Sequence, residues 1–276
     1  MTGARGPTGA IRAVGAGYDL NMSGESVKSA ARALAVVECV AEAGAISFND
    51  ISVRLGIPKS SAHGLLKTLE SDQWVTQNPD SRLFSLGLRA WQIGHMYDGH
   101  RGLAEAAKPI MDALARETGE TVQLARLDGV ENVYIAISPS PNPMRMASSV
   151  GMRLHAHATG IGKALLSTLD PDEARQRLEA VVLPRLTAKT VTDPDDLVRI
   201  IGGASDVGYA TDDEEFIEGC RCVAMPVTTE AETGIAAAIS ITLPSQRTPE
   251  GWPHALYEPL ARAVTSIRRT IGLEPR

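Results

Sequence analysis

Residues 47–86, SFNDISVRLGIPKSSAHGLLKTLESDQWVTQNPDSRLFSL, decide the reading of the chain. Ser47 is placed to cap a short helix, with Asp50 three residues on, where a capping box usually has Glu. In the stretch FNDISVRLG, Ile51 and Leu55 fall at i and i+4 and Gly56 closes the run. Ile57-Pro58 then leads straight into KSSAHGLLKTLESD. Two short helices joined by a tight glycine turn predict a helix-turn-helix. The second helix is divided. Leu65, Leu66 and Leu69 supply a face to bury, and Lys59, Ser60, Ser61, His63 and Lys67 crowd toward its N-terminal half. A helix that reads the major groove enters by its first turns and needs polar side chains there. Trp74-Val75 and Leu83-Phe84 read as short strands around Asn78-Pro79-Asp80-Ser81, which is turn material. A hairpin after such a helix is a wing, and Arg82 at its return is placed to touch phosphate or minor groove. The expected DNA contacts are Lys59, Ser60, Ser61, His63, Lys67 and Arg82, and the expected partner is a double-stranded operator.

Outward from this stretch the pattern changes twice. Residues 1–24, rich in Gly and Ala without periodicity, read as a disordered tail. Residues 28–42 form a helix whose apolar positions Ala30, Leu34, Val37 and Val40 or Ala41 recur at helical spacing. These elements place a winged domain at 25–87. A linker helix follows at 88–101, with Leu88, Trp91, Ile93 and Met96 as its apolar positions, and a larger domain fills 102–276. That domain opens on an amphipathic helix at 102–118 and then alternates. Strands are expected at 121–127, 132–138, 144–150, 221–228 and 234–243, and helices at 160–168, 172–180 and 252–271. The class is two-domain α+β. The helix at 28–42 and the linker helix carry more apolar surface than a winged domain of roughly 60 residues buries alone, so a homodimer or homotetramer is expected.

The composition fits a soluble chain of 276 residues with 43% hydrophobic residues and three cysteines, a low odd count that suits a reducing cytoplasm. No apolar run reaches a membrane span, and the N-terminus lacks the apolar core of a signal peptide. The net charge of −6 is unevenly spread: residues 1–100 carry nine basic and nine acidic side chains, the remainder 18 and 24. A neutral head on an acidic body binds DNA through a local patch and only modestly as a single copy.

The ordered motifs resemble the isocitrate-lyase-regulator (IclR) family of bacterial transcription factors over about residues 27–275. SAARALAVVECVAE is similar to that family's first helix, with Ser29, Arg32 and Leu34 matching, and DISVRLGIPKSSAHGLLKTLESDQWV with RLFSLG is similar to its helix-turn-helix and wing end. GETVQLARLDG, MRMASSVG, HATGIGKALLS, TVTDP, GYATDDEE and GCRCVAMPV match in the second domain. Gly64 stands where the family commonly has Arg, and Ala62 where it has a bulkier aliphatic residue. The resemblance implies a winged-helix head, a GAF-like α+β effector domain, dimers or dimers of dimers, and small organic ligands, often carboxylates. The pocket positions it carries over are Met146, Gly160, Ile161, Asp212, Cys222, Ser240 and Thr242. In that frame Gly160 and Gly162 would let an anion approach backbone donors at a helix start. Ser240 and Thr242 would add hydroxyl donors from one strand face, and Met146, Ile161 and Cys222 an apolar wall. Asp212 opposes an anion unless it is protonated, kept at a ligand hydroxyl, or satisfied by protein donors.

Other chemistries fit less well. GIGK at 160–163 lacks the GxxxxGK[ST] spacing and the hydroxyl after lysine that a P-loop requires. Cys220 and Cys222 with His155 and His157 could hold a metal, but nothing in the spacing fixes the pairs together. Cys222, His157 and Asp212 could form a nucleophilic triad, but a DNA-binding head has no ready role in such an enzyme. Neither a cofactor nor a metal is expected. The acids 212–215 read equally as a solvated turn or with Asp212 turned inward, and Arg32 either as a structural partner or as a DNA contact. The alternative function is a ligand-binding or catalytic domain whose winged helix serves protein contacts.

Overall fold

A computed structural model describes residues 27–97, 99 and 101–274. The tail reading at 1–24 lies outside them, as do residues 98 and 100 of the linker helix expected at 88–101. The chain divides into two compact units between Tyr97 and Asp98.

The first unit runs α1 (Lys28–Ala43), α2 (Phe48–Arg54), α3 (Lys59–Ser71), β1 (Val75–Gln77), β2 (Phe84–Leu86) and α4 (Leu88–Met96). The Ser47 hydroxyl accepts from the Asp50 N–H at 3.2 Å and donates to the Asp50 carboxylate at 2.7 Å, so the cap forms with the shorter acid closing it through the hydroxyl. Gly56, at φ +60°, turns the chain between α2 and α3. The buried Ser52 hydroxyl locks that turn by donating to the Ile57 carbonyl at 2.6 Å. Ile51, Leu55, Ala62, Leu66 and Leu69 meet Val36, Cys39 and Val40 of α1 in one core; Leu65 is only partly covered. The buried face of α1 is Ala35, Val36, Cys39 and Val40, and Leu34 is 63% exposed. The stripe expected from periodicity was therefore mostly the outer one, because α1 is apolar on nearly every side. The wing pairs Val75 with Leu86 and Gln77 with Phe84. Its turn is held by the Asn78 side chain, which accepts from the Asp80 and Ser81 N–H groups.

The second unit contains α5 (Arg101–Thr118), β3 (Thr121–Asp128), β4 (Glu131–Ser138), β5 (Arg153–His155), α6 (Gly160–Leu166), α7 (Pro171–Glu179), α8 (Pro194–Val207), β6 (Ala210–Asp213), β7 (Cys220–Thr228), α9 (Glu230–Thr233), β8 (Ala237–Pro244) and α10 (His254–Thr270). Its strands form one antiparallel sheet in the order β5-β4-β3-β8-β7-β6. Helices cover both faces. On one, α5 and α10 bury Met111, Leu114, Leu260 and Ile267 against Val122, Leu124, Val223 and Ile241. On the other, α6 and α8 bury Ile161, Leu165, Leu197 and Ile201 against Ala125, Cys222, Ala224 and Ala238.

Residues 144–150 are not a strand. Alternation supplies a period but no partner: the β4 edge is taken by Arg153–His155, and the Met144 carbonyl accepts from Arg247 at 2.9 Å instead.

Candidate functional site

In the first unit Lys59, Ser60, Ser61, His63 and Lys67 are all exposed on α3. Ser60, Gly64 and Lys67 follow at i, i+4 and i+7 and share one outward stripe, whereas Ser61 lies off it toward the flank. Pro58 precedes the helix without a side-chain cap. His63 packs edge-on against Phe48, the first residue of α2, with ring centroids 6.4 Å apart. His63, Lys67 and Arg82 line one depression of about 460 Å³ between α3 and the wing, together with Ser47, Gln77 and Glu70. Arg82 has φ +59° and its carbonyl accepts from Gln77 at 3.0 Å, so the return of the hairpin fixes its backbone while its side chain stays exposed. Two cations, Lys67 and Arg82, thus border the outer face of α3 beside the His63 imidazole, with Glu70 the one acid among the lining residues.

In the second unit six of the seven expected pocket residues converge. Strand register sets Asp212, Cys222, Thr242 and Thr121 in one row across β6, β7, β8 and β3. Ala210, Ala224, Ser240 and Gln123 form the next row on the same face. Above them lies the start of α6: a Cβ on Gly160 would come within 3.0 Å of the Cys222 sulfur and 3.2 Å of the Asp212 nitrogen. The Ile161 N–H and the Ser240 and Thr242 hydroxyls lie around the Cys222 thiol. Met146 stands apart, half-buried in the irregular segment before β5 and a member of neither core.

The glycines do different work from that expected. A Cβ on Gly162 would sit 2.2 Å from the Cα of Ala156, and Gly160 is pressed onto β6 and β7. Both let protein pack against protein. Thr159 caps α6 by accepting from the Gly162 N–H at 3.1 Å, which also removes one of the backbone donors.

The acids 212–215 are individually engaged. Asp212 is buried and its Oδ1 accepts from the N–H groups of Glu215 at 2.7 Å and Phe216 at 3.3 Å. Burial pushes its carboxyl up to about 7, against the opposing pull of those donors and of Lys163. Asp213 pairs with Arg221 at 2.5 Å, Glu214 accepts from the Gly219 N–H at 2.9 Å, and Glu215 pairs with Lys163 at 2.5 Å. Lys163, the lysine of GIGK, is only 2% exposed, and it neutralises the half-buried Glu215. Thr190 of TVTDP ties this turn down by donating to the Glu215 carbonyl at 2.7 Å.

Nothing activates the Cys222 thiol, which burial pushes up to about 12. His157 is buried and turned away, its Nε2–H donating to the Pro184 carbonyl at 3.1 Å, and burial lowers its pKa. Among the described residues no three His, Cys, Asp or Glu side chains are gathered to hold a metal ion. Gln123 and Tyr134 also belong to this cluster and were not anticipated. Thr121 and Gln123 alternate with Val122 and Leu124, which in an isolated strand reads as a solvent face; here α6 covers it.

Both units match one family. Residues 29–79 match the IclR helix-turn-helix domain, and residues 95–269 match the bacterial transcriptional regulator IclR C-terminal domain. The chain belongs to the IclR family of bacterial transcriptional regulators. It is 33% identical to the HTH-type transcriptional regulator XynR of Escherichia coli K12, over 89% of this chain and 98% of that protein. It is 32% identical to KdgR of the same organism, over 92% and 95%. Among solved structures, an IclR homologue from Microbacterium hydrocarbonoxydans complexed with 4-hydroxybenzoate matches with a TM-score of 0.75 at 27% identity, covering 88% of this chain and 98% of that one. As an IclR-family regulator the chain is a DNA-binding transcription factor, which assigns the helix-turn-helix to operator DNA. Among the described residues no helix is long and apolar enough to cross a membrane.

Proposed function

We propose that this IclR-family regulator grips its operator through residues 25–87 and releases or tightens that grip when a small organic acid binds in a GAF-like domain spanning 102–276. On this reading residues 88–101 link the two, and the protein acts in the cytoplasm. The observation that carries the ligand half is the convergence of Gly160, Ile161, Asp212, Cys222, Ser240 and Thr242 over one sheet face. Support for an acid as the ligand class comes from the Microbacterium relative, whose complex holds 4-hydroxybenzoate. Asp212 tolerates such a ligand because its Oδ1 is already satisfied by two backbone donors.

In the DNA-binding half, Lys59 and Lys67 contact phosphates, Ser60, Ser61 and His63 meet base edges or the backbone beside them, and Arg82 reaches from the wing. Two copies bind two half-sites, as a homodimer or within a homotetramer. This is supported by α4, which buries none of its residues within the described chain and leaves Trp91 59% exposed. Mobility shift of the purified protein on the DNA upstream of its own gene tests the proposal. A specific complex that weakens steeply with salt is expected. Its absence, with the winged unit binding only protein, would return the alternative of an interaction module.

A further inference from the structure

The buried hydrogen bonds of the ligand cluster do not balance. Gln123, on β3, has no exposed surface. Its Oε1 accepts from the Ser240 hydroxyl at 3.1 Å and from the Thr242 hydroxyl at 3.0 Å. A carbonyl oxygen has two lone pairs, so this one is saturated, and each hydroxyl has spent its single proton. The Cys222 thiol touches both hydroxyls and stays protonated in this setting, so it does not draw those protons away from the amide oxygen. At the other end of the amide, Nε2 carries two N–H donors, is buried, and has no partner. Leaving such a group unpaired forfeits its hydration with nothing in return, and native interiors seldom carry that cost without use.

The position of this donor matters as much as its vacancy for a partner. Gln123 is the register neighbour of Ser240 and lies one row from Asp212, Cys222 and Thr242, on the face that α6 covers. The side chains expected to donate to an acid therefore point their protons at Gln123, and the donors left over belong to Gln123 itself. We propose that the Gln123 side-chain amide is the group that receives the effector's carboxylate, with Ser240 and Thr242 acting as positioning residues that hold the amide with its nitrogen outward.

This rests on the organic-acid reading above and deepens it. The amide is neutral, so it meets a carboxylate beside Asp212 without adding to the charge of the site. Because Ile161, Asp212, Cys222, Ser240 and Thr242 are all buried, an acid reaches Nε2 only by displacing part of the layer between α6 and the sheet. Binding and repacking of that layer are then one event, which is how occupancy would be felt elsewhere in the unit.

The test uses the whole protein and a panel of sodium salts of C2–C8 monocarboxylic acids, 4-hydroxybenzoate among them. Acids that raise the Tm of the wild type are titrated by calorimetry against the wild type, Gln123→Met and Ser240→Ala. The acid should bind Gln123→Met about tenfold or more weaker than wild type, and Ser240→Ala, which loosens the amide but keeps its donors, should weaken binding by a smaller factor. Equal binding to wild type and Gln123→Met, with loss in Ser240→Ala, would return the role to the hydroxyls and overturn the proposal while leaving an organic acid as effector. If no acid binds the wild type, the organic-acid reading itself falls and this inference with it. Should Gln123→Met fail to fold, nitrogen-15 spectra of the wild type decide. The Gln123 Nε2–H resonances, identified by their absence in Gln123→Glu, should move downfield and exchange more slowly with acid present. Unmoved resonances in the presence of a bound acid would refute it.

Discussion

An added Cβ at Gly162 would lie 2.2 Å from the Ala156 Cα, whereas at Gly64 it would meet nothing within 4 Å. The two glycines look alike in the sequence and have opposite energetics. Gly64→Ala should stabilise the first unit by up to about 1 kcal/mol, because it removes backbone freedom from an exposed helix interior and clashes with nothing. Gly162→Ala should destabilise the second unit by about 1–3 kcal/mol, since backbone must move to admit the methyl. Urea unfolding of both variants checks the pair, and equal effects of one sign would contradict the packing described. Asp212 makes a second prediction at this scale. Its carboxyl is pushed from 3.8 to about 7 by burial, so the folded chain holds the proton more tightly than the unfolded chain. Stability from this group is therefore full below about pH 4 and is lost as pH rises to about 7, with no further change above. Asp212→Asn keeps an acceptor for the Glu215 and Phe216 N–H groups and has no proton to lose. Its stability relative to wild type should rise between about pH 4 and about 8; a constant difference over that range would show that the carboxyl titrates normally.

At the scale of elements, the proposed reading gives α3 two kinds of DNA contact. Lys59→Ala and Lys67→Ala should each weaken binding on every sequence and lower the salt slope by about one, as removal of a phosphate contact does. Substitutions at Ser61 or His63 should alter base preference with little change in slope. Anisotropy titrations at several salt concentrations distinguish them. The helix-turn-helix and wing were legible because their signals are local: Ser47 caps, Gly56 turns, and Asn78 to Ser81 fold back on themselves. Strands β3, β4, β7 and β8 also fell close to where apolar runs placed them. The misses have physical causes. α8 escaped notice although Asp193 caps it and Pro194 opens it, because Gly202 and Gly203 interrupt its pattern. β6 was hidden because its second half enters the acidic run 212–215, whose cationic partners Arg221, Lys163 and Lys189 are not evident from the local sequence. The convergence of six expected pocket residues was legible only through family resemblance, since cross-strand register brings them together. Gln123 was not legible at all, because a polar residue in an alternating strand looks solvent-facing until a helix is placed over it.

For the whole molecule, the acidity lies in residues 101–276, while residues 1–100 are formally neutral. Such a chain gains little from nonspecific attraction to DNA, which the proposed pairing of two heads would offset. Leu34 of α1 and Trp91 and Met96 of α4 are 63%, 59% and 81% exposed, which is apolar surface suited to a second copy of the chain. Light scattering at micromolar concentration should give a dimer or tetramer, and Trp91→Glu should shift it toward monomer; a wild-type monomer would remove the basis for two-site binding. The central claim is that an acid in the second unit controls DNA affinity in the first. The direct measurement is an anisotropy titration of the full-length protein on its operator, with and without a saturating acid that raises the Tm. Differential binding of roughly 2.7 kcal/mol between two states corresponds to a change of about 100-fold in operator affinity, and a shift of about that size, up or down, is the predicted result. Unchanged operator affinity with the acid demonstrably bound would contradict the account.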